Sequence, residues 1–267
     1  MDTRYWGPSA WRFLHLITFA YNPKTQKDDM RRFFELLPFV LPCKYCRAHL
    51  VDHYAALPLE DALRSQDAFS KWFYKIHGLV NETLRSEGSS IPPDPPYIMV
   101  KEIYEQRLAY GCSKTFFPGW EFLFSILETH PSKSESPLPN APPKATIDPQ
   151  NELQLLRWNH ISPSSRLTYV CEFWTLLPKV LPFEEWRTLW MDQIKDSCDR
   201  TWKSKETAFR VVWKTRKAFE EKLDLLNRTS YHDLCKMIRY YKSGCASSQK
   251  RTTRTCRRLQ TRKHKKE

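Results

Sequence analysis

The chain has 267 residues, 41% hydrophobic and 14% aromatic with ten Trp, enough apolar mass for one large or two modest cores. Six Gly and no G-x-G-x-x-G or Walker-type run argue against a glycine-rich phosphate loop; no 18-residue apolar stretch and no charged-then-apolar start are found, so neither a membrane span nor an export signal is expected. The net charge of +13 is concentrated in residues 241–267, with ten Lys/Arg against one Glu, a tail that reads as disordered and suited to nucleic acid or an anionic surface.

The first predicted helix is SAWRFLHLITFAY (9–21), where Trp11, Leu14, His15, Thr18 and Phe19 recur at three- and four-residue intervals. DDMRRFFELLPFVL (28–41) is a second amphipathic helix, and CKYCRAHLVDHY (43–54) opens a third directly after Pro42. SQDAFSKWFYKIHGLVNETLR (65–85) is a fourth, with Phe69, Trp72 or Phe73, Ile76, Val80 and Leu84 as its core stripe. SSIPPDPP (89–96) breaks the chain, and YIMVKEIYEQRLAY (97–110) reads as a fifth helix. Alternating β-branched runs are missing, so the expected class is all-α.

The second half echoes the first. FFELLPFVLPCKYC (33–46) aligns with FWTLLPKVLPFEEW (173–186) at an offset of 140, and WRFLHLITFAYNP (11–23) with WEFLFSILETHP (120–131). Across this echo Cys43 becomes Phe183, Cys46 becomes Trp186, His15 becomes Phe124, His77 becomes Lys217 and Asn81 becomes Glu221. The expected organisation is a first domain over 1–112, a degenerate non-catalytic helical module over 113–240 with a flexible surface loop at 130–150, and the basic tail at 241–267.

Chemistry centres on Cys43-x-x-Cys46, the closely spaced pair among eight Cys. With His49 and His53 it has a zinc-like spacing, but four ligands on one short helix fan over more than one face, so no metal site is expected. A thioredoxin-like use needs βαβ context that is missing. A redox pair at a helix N-terminus fits better, because that end favours a thiolate at Cys43 or Cys46. Two further pairs lie far from it: Trp11 with His15, and His77 with Asn81, each four apart on one helical face.

Together, Trp6-Gly7, Trp11, Leu14-His15, Tyr21, Pro23, Pro42-Cys43, Cys46, His77, Val80-Asn81 and Leu84 resemble the Erv/ALR family of FAD-linked sulfhydryl oxidases over about residues 5–86, and the degenerate second copy is most like its viral members. The resemblance implies a four-helix bundle holding FAD, a short fifth helix and a homodimer. It implies catalytic Cys43 and Cys46, Cys46 facing the flavin and Cys43 an exposed thiol that exchanges with a protein dithiol. Gly7, Trp11, His15, Tyr21, His77, Asn81, Leu84 and Arg85 are then the cofactor-binding positions, with Arg85 the phosphate-side cation. The implied reaction passes electrons from protein dithiols through FAD to O2, giving H2O2, in host cytoplasm or nucleus and in virions. Cys245 and Cys256 are candidates for a shuttle pair, and Cys171, Cys198 and Cys235 for buried apolar-like positions. The competing expectation is a non-catalytic helical protein that binds zinc or nucleic acid.

Overall fold

A computed structural model describes residues 1–111, 114–194 and 201–242. The tail from 243, with Cys245 and Cys256, lies outside these residues, as do Cys112 and Cys198. The described residues are all-α and contain no strand. The first half comprises α1 (Thr3–Phe19), α2 (Lys27–Val40), α3 (Lys44–Ala56), α4 (Gln66–Ser86) and α5 (Tyr97–Ala109). The second comprises α6 (Trp120–Glu128), α7 (Glu152–Arg157), α8 (Pro163–Val180), α9 (Glu184–Gln193), α10 (Lys205–Lys222) and α11 (Tyr231–Lys242).

Local chemistry sets the boundaries that matter for the site. Pro42 drives the residue before it out of the α region, so α2 ends and Leu41 turns to φ −52°, ψ 137°. Cys43 is the N-cap of α3, in extended backbone, its sulfur accepting the Cys46 N–H at 3.4 Å. Ser65 caps α4 through the Ala68 N–H. At the matching point of the second half Leu181 precedes Pro182 and adopts φ −58°, ψ 137°, and Phe183 takes the cap position of Cys43.

α1 to α4 form a bundle with α5 laid against α1, and each packed pair of that set recurs in the second half. α1 with α4 corresponds to α6 with α10, α2 with α3 to α8 with α9, α3 with α4 to α9 with α10, and α1 with α5 to α6 with α11. The halves meet mainly through like elements, α2 on α8 and α1 on α6, with α7 also packed on α3. Phe33 stacks on Phe173, its own counterpart, at 5.0 Å, and Arg32 makes a bidentate pair with Glu172, its counterpart, at 2.6 and 2.7 Å. Phe39 stacks on Tyr169 at 3.9 Å, while Lys179 and Asp29, which stand in the swapped places, pair at 3.2 Å. Position i of one half meeting j of the other, and j meeting i, is the contact rule of a two-fold interface. One core runs through both halves and includes fully buried Phe33, Phe34, Trp120, Trp174 and Trp186.

The segment 130–150, expected to be a flexible loop, is bound to α3. Leu138 is 8% exposed and packs with Cys43, Tyr45 and Ala48. The Lys44 ammonium donates to the Ser136 and Pro137 carbonyls, and the Leu138 N–H donates to the Trp158 carbonyl at 3.1 Å.

Candidate functional site

A cavity of about 680 Å³ opens between α1, α3, α4, α5 and the 89–96 connection. It is walled mainly by apolar and aromatic side chains with a few polar groups, the usual make-up of a site for a sizeable organic ligand. Of the residues singled out in the sequence, Gly7, Trp11, His15, Cys46, His77, Asn81 and Leu84 all line it.

Helical spacing explains the convergence. On α1, Gly7, Trp11 and Leu14 present one face, and on α4, His77, Asn81 and Leu84 do the same. Trp11 and His77 stack at 3.8 Å with ring planes 9° apart, leaving no room for a third ring between them. His15 Nε2 lies 3.2 Å from His77 Nδ1, and Tyr104 of α5 stacks on the other side of His15 at 5.4 Å. Burial lowers the pKa of His15 to about 3, helped by the neighbouring His77, and burial lowers that of His77 to about 4. Both rings are therefore neutral at physiological pH. The Asn81 amide donates to Asp94 at 2.6 Å, tying α4 to the connection that closes the cavity.

Two expected cofactor-binding residues lie elsewhere. Tyr21 is buried off the cavity, its hydroxyl donating to the Leu63 carbonyl at 2.8 Å and its ring set edge-on to Phe69. Arg85 points along the connection, donating to Asp94 at 2.9 Å and to the Pro92 carbonyl at 2.7 Å, so its cation is spent on fixing that loop. Conversely, His49 and His53, considered above only for their zinc-like spacing, line the cavity one and two turns after Cys46. Their positions i+3 and i+7 from Cys46 carried that signal. Among the described residues no group of three His, Cys, Asp or Glu side chains is placed to hold a metal ion.

The residues present fit a large group with a polar edge. Trp6 Nε1, His15 Nδ1 and His53 Nε2 line or adjoin the cavity, buried without a hydrogen-bond partner. Gly7 faces open space, with no atom within 4 Å of where a Cβ would stand.

The Cys pair straddles the cavity wall. Cys46 faces inward, whereas Cys43 does not line the cavity and packs under Leu138 on the far side. Cys43 is thus half-buried rather than an exposed thiol. The hydrogen bond with the Cys46 side chain, the Cys46 and Tyr45 N–H groups and the Arg47 charge hold the Cys43 thiol below the ordinary thiol range, against the opposing effect of burial. Arg47 is wholly buried; its guanidinium donates to the Leu41 carbonyl at 3.0 Å and to Asn159 at 3.0 Å, and pairs with Glu135. Asn159 reaches this place from a left-handed turn after α7, φ 57°, a conformation Asn tolerates well.

Residues 8–96 match the Erv1 / Alr family. Three relatives are similar to part of this chain. "Putative FAD-linked sulfhydryl oxidase 096R" of Invertebrate iridescent virus 3 is 28% identical over 87 residues, 32% of this chain and 59% of that protein. FAD-linked sulfhydryl oxidase ERV1 of Arabidopsis thaliana is 31% identical over 81 residues, and that of Oryza sativa subsp. japonica 32% over 81, each 29% of this chain and 41% of the relative. The chain thus spans between two-fifths and three-fifths of the relatives it matches. No solved structure matches it. The stretch similar to the Erv1 / Alr family, residues 8–96, is the one that carries Cys43, Cys46 and most of the cavity wall.

Proposed function

We propose that the chain is an FAD-dependent thiol oxidase that makes disulfides in other proteins. The observation that carries this is the placement of one redox pair on two sides of a wall: Cys46 on a large aromatic cavity, Cys43 on the outer side at a helix N-terminus. Gly7, Trp11, His15, His77, Asn81 and Leu84 would hold the flavin, which supplies a two-electron acceptor that hands its electrons on to O2, giving H2O2.

The protein's own part is thiol exchange. With the pair as a disulfide, a substrate thiolate attacks the Cys43 sulfur, forming a mixed disulfide and releasing Cys46 as a thiolate on the cavity wall. A second substrate thiolate then attacks its own sulfur in the mixed disulfide and expels Cys43. The factors that stabilise the Cys43 thiolate make it a good leaving group, so they favour release of the oxidised product. Neutral His15 and His77 present no cation to the cavity.

The second half is then a copy of the same bundle that retains the frame and has lost the chemistry, with Phe183 and Trp186 where the sulfurs stand. Its arginine supports this: Arg187 donates to the Leu181 carbonyl at 2.8 Å, as Arg47 does to Leu41. The purified chain should be yellow and should consume O2 while oxidising a reduced protein substrate. A colourless preparation that binds no added FAD would overturn the proposal.

A further inference from the structure

The strap that covers Cys43 comes from outside the family-matched residues and carries a carboxylate to a place where the frame supplies only cations. Arg47, one turn after Cys43, is buried, and Arg166 of α8 is 5% exposed beside it, donating to the Phe39 carbonyl at 2.9 Å. Lys44 lies on the same side, held by the Ser136 and Pro137 carbonyls. Glu135, its side chain 42% exposed, pairs with Arg47 and faces Lys44 and Arg166, and these charges hold its pKa below the ordinary carboxylate range against the effect of partial burial. The charged and titratable groups next to Cys43 are Cys46, Tyr45 and Arg47 of α3; Glu135 of the strap acts on it through Arg47, with Lys44 and, behind Arg47, Arg166 of α8 facing Glu135.

The two halves separate the roles of this arginine. In both, it ties the carbonyl that precedes the Pro, through Leu41 or Leu181, which is a structural task. The pairing with Glu135 belongs to the half that has the sulfurs.

We propose that Glu135 is a positioning residue of the redox pair: docked on Arg47, it offsets the cationic cluster and so sets the balance between the Cys43 thiolate and the Cys43–Cys46 disulfide. The inference rests on the Cys pair being the redox centre proposed above. The dithiol becomes a disulfide with loss of two electrons and two protons, which in that function pass to the flavin and on to O2. Cations near Cys43 stabilise the reduced, thiolate side and make the pair a stronger oxidant. A docked Glu135 does the reverse, favouring the disulfide that is ready for substrate. Release of the strap shifts the pair towards the thiolate, so a partner protein that lifts Leu138 to reach Cys43 also changes its redox poise.

The test is the pH dependence of Cys43 alkylation in the reduced full-length protein by iodoacetamide, read by mass spectrometry. Tryptic cleavage after Lys44 puts Cys43 and Cys46 on different peptides. Glu135→Gln should lower the midpoint by about one pH unit, the size expected from losing one nearby charge. Glu135→Asp, which keeps the charge one methylene further back, should shift it in the same direction by less, and carries the test if Glu135→Gln does not fold. Leu138→Ala, which uncovers Cys43, should raise the plateau rate reached well above the midpoint, whereas Glu135→Gln should leave that plateau unchanged, separating cover from charge. The pair's potential against a glutathione buffer should become less negative in Glu135→Gln. Midpoints equal to the parent's in the folded Glu135 variants would overturn the proposal. Alkylation needs neither flavin nor O2, so this outcome is independent of whether the protein proves yellow and active.

Discussion

His15 and Phe124 occupy corresponding places in the two halves, and the difference between them is a titratable ring sealed in a core. Burial holds His15 neutral down to about pH 3, whereas the unfolded chain takes up its proton near pH 6.5. The unfolded state therefore binds more protons as the pH falls, so this contribution to stability is intact above pH 6.5 and is lost between about 6.5 and 3. Urea unfolding should show a loss between pH 7 and pH 5, of which about 2 kcal/mol is due to His15. His15→Phe, which installs the second half's residue, should remove that part; an unchanged loss would mean that His15 is not the buried neutral group described. Most residue positions were legible from helical spacing, since i, i+4 and i+7 place side chains on one face whatever lies beyond. Tyr21 and Arg85 were not, because a motif gives a residue's place along the chain but not its hydrogen-bond partner. The Leu63 carbonyl claims Tyr21, and Asp94 with the 91–92 carbonyls claims Arg85.

The five helices of the first half were readable as elements, and the Pro-rich break at 89–96 correctly separated α4 from α5. The strap was not, for a physical reason. Its order comes from Lys44 and Arg47, about ninety positions earlier in the chain, and non-local contacts leave no periodicity in the segment itself. Its composition, rich in Pro and Ser, carried only the local signal of a loop. Within the second half the echo of the cysteine turn is now structural. Trp186, in place of Cys46, is fully buried and set edge-on to Phe183 at 4.8 Å. Trp186→Ala should cost about 3–5 kcal/mol in equilibrium unfolding, with Cys43 alkylation unchanged. Phe183 is half-buried and should cost less on truncation to Ala. The reverse order would show that the second half does not use the cysteine turn as a packing frame.

At the scale of the molecule, the reciprocal contacts make each half the other's partner. The α1 and α2 faces are covered by α6 and α8, so a homodimer, as the resemblance implies, would use a different surface. Cutting the chain after residue 111 would expose Phe33, Phe39 and the rest of the α2 face, a patch of the kind that drives association. The fragment should run as a dimer or larger species in size-exclusion chromatography. A monodisperse monomer of unchanged stability would contradict the role assigned to the second half. Among the described residues no helix is long and apolar enough to cross a membrane, and the basic tail lies beyond them.

In the proposed function Cys46 joins the outer thiol to a flavin in the cavity. The most direct measurement of this is anaerobic rapid mixing of the flavin-loaded full-length protein with a dithiol peptide, following flavin absorption near its visible maximum. The parent should bleach, and Cys46→Ala should retain the yellow flavin yet fail to bleach. A Cys46→Ala protein that bleaches at the parent's rate would contradict the account.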